Sequence, residues 1–266
     1  MIGFGRLVVF TVVAVAALHA VAIAAAQSPF EGTWRISLSQ TRFSPEPIVA
    51  FLSEGWYHCT SCNPQIDVRA NGADQPVLGQ SYETISVREV DARTIQLIAK
   101  KGGKVVTEQT RAVSADGNTL SIKEIEHPVG DVPAITTQIA AVRVGLAPAR
   151  INATSGRWRI ARITQSDKRL LITYKLKGDQ LTIVQPTGEM VVARLDGRDY
   201  PVQGSNDYNA VALRRIDGNT MQEIKKRDGT VVSMITMIVS ADGRKMSIAD
   251  TNPSTDRTVT YSAIKQ

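Results

Sequence analysis

The sequence predicts an all-β protein built from two tandem antiparallel units, and three observations point to it. The chain contains itself twice: residues 82–122 align without a gap onto residues 208–248 at a constant offset of 126, with 18 identities in 41 positions. The shared residues include Tyr82/Tyr208, Arg88/Arg214, Asp91/Asp217, Thr94/Thr220 and the block Ser114-Ala115-Asp116-Gly117 against Ser240-Ala241-Asp242-Gly243. A period of this length marks a duplicated domain, because solenoid and propeller repeats run to roughly 20–50 residues. Short alternating segments recur between turn residues at intervals of roughly 8–12, the spacing of a β-sandwich or barrel. Finally, Asp228-Gly229 and Asp242-Gly243, with their counterparts Gly102-Gly103 and Asp116-Gly117, are hairpin signals, since glycine accepts the positive φ of tight turns. Consecutive hairpins describe a meander in which sequence neighbours are spatial neighbours.

Residues 1–26 read as an export signal. Arg6 precedes an uncharged apolar run from Leu7 to Ala26 that ends in small residues before Gln27. The competing reading is an uncleaved anchor, because the run is about as long as a bilayer needs. Cleavage is favoured by the alanine-rich character of the run, and no later stretch is long and apolar enough to span a membrane as a helix. The protein is therefore expected to be periplasmic or secreted. Residues 27–144 form the first expected domain, residues 145–155, with Pro148, Asn152, Thr154 and Ser155, a linker, and residues 156–266 the second domain.

In the second copy strands are expected over residues 157–163, 170–176, 180–185, 190–195, 208–216, 220–226, 231–240, 245–250 and 258–264. The first copy follows the same scheme except between Trp34 and Asp74, where Pro45, Pro47 and Pro64 suggest a loop in place of three strands. Each copy opens alike, with Gly32-Thr33-Trp34-Arg35-Ile36 and Gly156-Arg157-Trp158-Arg159-Ile160.

A Gly-x-Trp strand opening a meander of short strands in an exported domain resembles the lipocalin-like (calycin) barrels. The segments Asp199-Tyr200-Pro201-Val202-Gln203-Gly204 and Lys226-Arg227-Asp228-Gly229-Thr230-Val231-Val232, followed by Ser240-Ala241-Asp242-Gly243, resemble more specifically an uncharacterised family of exported bacterial lipocalin-like proteins. The resemblance covers most of both copies and implies two up-and-down β-barrels with a capacity for apolar ligands. It also implies that each tryptophan closes a barrel floor beneath a basic residue of the last strand, Trp34 with Arg143 and Trp158 with Lys265. It supplies no cofactor, substrate or catalytic residue.

The copies differ in chemistry. Residues 27–149 carry 11 Lys/Arg against 13 Asp/Glu, whereas residues 150–266 carry 19 against 12, so the basic excess belongs to the second copy. Such an excess suits anionic ligands or envelope surfaces, but Arg214, Arg215, Lys225, Lys226 and Arg227 sit on alternating positions or beside turns and read as a solvated face. Few aromatics and no recognition motif argue against nucleic acid. Both cysteines and both histidines beyond the leader, His58, Cys59, Cys62 and His127, fall in the first copy. In an oxidising compartment Cys59 and Cys62 most simply form a disulfide. A redox pair and a zinc site built from His58, Cys59, Cys62 and His127 stay open as alternatives.

The five methionines beyond the leader lie in the second copy, where Val231, Ile235 and Met237 share one strand face and are candidate lining of an apolar cavity. Their counterparts Gln109 and Arg111 are likewise candidate cavity residues and would make the first interior more polar, so the second copy is expected to supply the more apolar and more basic pocket. Neither histidine lies in a nucleophile motif, and Glu124 and Glu126 share a strand face without a converging partner. The expected protein is thus a monomeric, non-catalytic binder of a small apolar or amphipathic molecule or of an envelope component, with a metal-binding or redox protein centred on Cys59 and Cys62, or a structural protein without a small-molecule ligand, as the alternatives.

Overall fold

The computed structural model describes residues 28–165 and 170–266, and the leader read at residues 1–26 lies outside them. Among the described residues there are twenty β-strands and no α-helix. The first copy supplies β1 (Gly32–Arg42), β2 (Ile48–Ser53), β3 (Trp56–Cys59), β4 (Ile66–Arg69), β5 (Gln75–Pro76), β6 (Thr84–Asp91), β7 (Thr94–Lys101), β8 (Lys104–Val113), β9 (Thr119–Glu126) and β10 (Ile135–Arg143). The second supplies β11 (Gly156–Gln165), β12 (Leu171–Lys177), β13 (Gln180–Val184), β14 (Met190–Arg194), β15 (Asp196–Gln203), β16 (Ala210–Arg215), β17 (Thr220–Arg227), β18 (Thr230–Val239), β19 (Lys245–Asn252) and β20 (Arg257–Lys265).

The stretch between Trp34 and Asp74 is therefore not a loop. It carries β2, β3 and β4, which the prolines flank without interrupting, because Pro45, Pro47 and Pro64 all fall between strands. The strand β15 was not foreseen, since its polar sequence with Pro201 lacks an apolar alternation.

Two ten-stranded antiparallel sheets result, and each borrows its first strand from the other copy. One sheet is a closed barrel in the order β1-β12-β13-β14-β15-β16-β17-β18-β19-β20, and the other runs β4-β3-β2-β11-β10-β9-β8-β7-β6-β5. Trp34 on β1 stands opposite Ile172 and Lys265, while Trp158 on β11 stands opposite Ile48 and Arg143. A division at residues 145–155 into self-contained halves consequently does not describe the sheets. The two opening strands share the pattern Gly-x-Trp-Arg-Ile, so the sequence alone does not assign each strand to its barrel. The connection after β10, residues 144–155, turns the chain back so that β11 lies antiparallel beside β10, and the Val144 N–H donating to Arg157 O at 2.8 Å extends the pairing.

The exchange also exchanges the floor contacts. Lys265 Nζ lies 5.3 Å from the Trp34 ring centre and the Arg143 guanidinium 4.0 Å from that of Trp158, the reverse of the pairing the resemblance implied. Each indole N–H donates to a backbone carbonyl four residues earlier, Trp34 to Phe30 and Trp158 to Thr154. The glycine two residues before each tryptophan makes the room. A Cβ at Gly32 would sit 2.9 Å from Lys265 Cε, and one at Gly156 2.8 Å from Arg143 Nη1, with φ near +122° and +127°.

The first barrel is nearly closed, since β4 and β5 do not pair. The Gln75 side chain spans this seam by accepting from Arg69 N–H at 2.8 Å and donating to Arg69 O at 2.6 Å. Both hairpins after β7 and β17 turn on two residues of positive φ, Gly102-Gly103 (54°, 73°) and Asp228-Gly229 (49°, 80°), as a type I′ turn requires.

Candidate functional site

The first barrel encloses a cavity of about 280 Å³. Inward alternation along the strands divides its lining: β4, β6 and β7 contribute Ile66, Ile85, Leu97 and Ala99, whereas β8 and β9 contribute Gln109, Arg111, Glu124 and Glu126. Arg111 donates through Nε and Nη2 to Gln109 Oε1 (3.0 and 2.7 Å) and through Nη1 to the Tyr57 hydroxyl (3.0 Å), so its hydrogen-bond partners are all neutral. The Gln109 amide then donates to Glu124 Oε2 at 2.5 Å, standing as a neutral spacer between guanidinium and carboxylate. Glu124 thus has the converging partner that sequence alone did not reveal. Tyr82 completes the wall, and burial, reinforced by Tyr57 and opposed by Arg111 and Arg227, pushes its hydroxyl up to about 12.

The interior of the second barrel holds a packed apolar cluster, and the open space on this side is a groove at its mouth that Val231 and Val232 help to line. Trp34, Tyr174, Leu213, Met221, Met237 and Met246 belong to one continuous cluster, in which Ile235 is also buried. Tyr174 Oη donates to Met237 Sδ at 3.4 Å. Val231 departs from its expected face because the register of β17 against β18 shifts between Lys225↔Ser233 and Lys226↔Val231, a bulge that turns Val232 toward the core instead. The first copy has the equivalent shift, which brings Val106 to the cavity wall.

Of the basic residues read as solvated, Lys225 and Arg227 depart from that reading: Arg227 donates to Asp207 O and Gly79 O, and Lys225 turns inward. It points into the mouth of the second barrel, with Nζ 4.5 Å from the Tyr208 ring centre and 3.8 Å from Glu223 Oε1. Arg214 and Lys226 do face outward, bonding Gln222 and Asp199. Burial pushes the Glu223 carboxyl up; Lys225 opposes this, and Asp250 and Glu189 add to it.

Cys59 and Cys62 form a disulfide with Cα atoms 5.4 Å apart at the end of β3, so neither sulfur is a free thiol. His58 Nδ1 pairs with Asp67 Oδ1 at 2.5 Å and His127 Nε2 with Glu108 Oε1 at 2.8 Å. The four residues of the zinc alternative are therefore drawn to different partners, and the described residues contain no group of three or more His, Cys, Asp or Glu placed to hold a metal ion. The loop closed by the disulfide is very short. Replacing both cysteines by alanine is expected to lower stability by about 2 kcal/mol, read as a shift of the urea midpoint at unchanged m-value; a loss several-fold larger would show that the bridge constrains more than its own loop.

The two mouths face each other. Asn206 and Asp207 of the second copy lie over the first cavity, held by Lys101 Nζ donating to Asn206 O at 2.9 Å and by Asn206 Nδ2 donating to His127 O at 3.2 Å. In return Asn63, Pro64 and Gly79 of the first copy border the groove at the mouth of the second, where Arg227 Nη1 donates to Gly79 O at 2.9 Å. Asn206, Asp207 and Gly79 carry no mark of this rim role in the sequence, because it depends on how one barrel packs against the other. No helix among the described residues is long and apolar enough to cross a membrane. Comparison with family models, with curated proteins and with solved structures finds no significant match.

Proposed function

We propose that the protein is an exported, monomeric tandem barrel of lipocalin-like type that binds a small amphipathic molecule in its first barrel, without catalysis. The observation that carries this is the two-sided lining of the cavity: an apolar wall from β4, β6 and β7 opposite the bonded row of Gln109, Arg111 and Glu124. Sites of this composition fix a ligand by burying its apolar body and orienting its polar end through few, well-placed groups. A cavity of about 280 Å³ lies near the lower end of small-molecule pockets, which suits a compact ligand. Export is supported by the leader sequence and by the disulfide, a bond that persists in oxidising compartments.

Native mass spectrometry of protein released gently from its compartment tests the reading through co-purified mass. Titration with octanol, octanoate and octylamine tests it in vitro. Leu97→Trp, which fills the apolar side, is expected to abolish binding, and Arg111→Met to weaken the preferred compound about tenfold or more through loss of a charge-assisted hydrogen bond. Binding that survives Leu97→Trp unchanged would place the ligand elsewhere and remove the proposal.

A further inference from the structure

The mouth of the second barrel contains two charged groups whose hydrogen-bonding capacity is unused. Glu223 is 4 % exposed, points inward from β17, and its Oε1 has no hydrogen-bond partner. Lys225, two residues nearer the rim on the same face, comes no closer to it than 3.8 Å, too long for a hydrogen bond. Among the described residues none of the three donors of Lys225 finds an acceptor; its ammonium rests instead over the Tyr208 ring. A buried ion pair is stabilising only when its remaining donors and acceptors are satisfied, and here they are not.

The surroundings tell which charges are in excess. Asp250 accepts from Ser233 Oγ at 2.6 Å and Glu189 accepts from Tyr208 Oη at 3.0 Å, while the other cation of the groove, Arg227, is engaged by the carbonyls of Asp207 and Gly79, so Lys225 is the cation that faces Glu223, Asp250 and Glu189. Lys225, Tyr208, Ser233 and Asp250 line a groove of about 630 Å³ that opens between the barrels. A ligand suited to this mouth brings positive charge to Glu223 and an acceptor to Lys225 within the same few ångströms. A plain amine would be repelled by Lys225, and a plain carboxylate by Glu223 and Asp250.

We propose that this mouth is a binding site for a small zwitterion of the α-amino acid class, whose ammonium donates to Glu223 and whose carboxylate accepts from Lys225. The site is separate from the first-barrel cavity, and the two stand or fall independently. Calorimetric titration of the full chain with leucine, lysine and glutamate, with propylamine and propionate as single-charge controls, tests it. Saturable binding of at least one amino acid is expected, with neither control binding. Glu223→Gln and Lys225→Met are each expected to weaken that binding about tenfold or more, the loss of one charge-assisted hydrogen bond. Lys225 lies at the rim, so its variant keeps the test valid if Glu223→Gln fails to fold, as judged by circular dichroism. The proposal is overturned if no amino acid binds, if propylamine or propionate binds as well as the amino acids, or if both folded variants bind like the parent chain.

Discussion

Trp34→Ala is expected to open the barrel built from residues 171–265 and to spare the one built from residues 48–143, although Trp34 precedes both in the chain. Trp34 is 1 % exposed and packs in the cluster that contains Leu213, Met221 and Met246. Removing a buried indole costs about 3–5 kcal/mol, from lost transfer energy and the cavity left behind. The same change removes the surface on which Lys265 rests and leaves Phe30 O without its indole donor. Native-state amide exchange should show faster opening of β16 to β20, and Trp158→Ala should show the mirror image, with β7 to β10 affected. Trp34→Ala that instead released β7 to β10 would mean that the opening strands are not exchanged.

A chain cut in the connection after β10 is expected to stay in one piece. Leu146 is 96 % exposed, so a protease site introduced at residues 146–149 is accessible. After cleavage the halves remain joined by four strand ladders: β1 with β12, β1 with β20, β11 with β10 and β11 with β2. They should co-elute on gel filtration until denaturant unfolds them. Two self-contained barrels would come apart or be held only by polar rim contacts. Expressed singly, each half would carry its own opening strand away from the barrel it completes. Each would also have to leave an edge unpaired or refold with that strand inside, so aggregation or dimerisation is the expected fate.

The chain was most legible where interactions are local. The expected strands at 220–226, 231–240 and 245–250 match β17, β18 and β19 within a few residues, because period-two alternation and paired positive-φ turn residues act over short distances. Between residues 45 and 64 the prolines suggest a loop, yet they punctuate the connections between strands and break none of them. The disulfide followed from having only two cysteines, three residues apart. Val231 was misplaced because a bulge inserts one residue and inverts the alternation on one side of it, a change that periodicity cannot announce.

The interiors illustrate the opposite case. Gln109 and Arg111 were visible as polar counterparts of Ile235 and Met237, yet whether a barrel is hollow depends on side-chain volume summed over strands far apart in sequence. On β7 and β17 the substitution runs the other way: Leu97 and Ala99 stand where the second copy has Glu223 and Lys225. One barrel therefore carries its charged row on β8 and β9 around open space, and the other holds a buried pair near its mouth beside a filled core.

What the amino-acid order dictated was the repeated meander, since alternation and turn chemistry are properties of neighbouring residues. Which barrel each tryptophan strand enters was left open by that order, because Gly32-Thr33-Trp34-Arg35-Ile36 and Gly156-Arg157-Trp158-Arg159-Ile160 offer the same glycine gap, indole and alternation to either partner. Folding in three dimensions resolved the tie through the turn that lays β11 against β10, and the exchange of Trp34 and Trp158 between the floors follows from it.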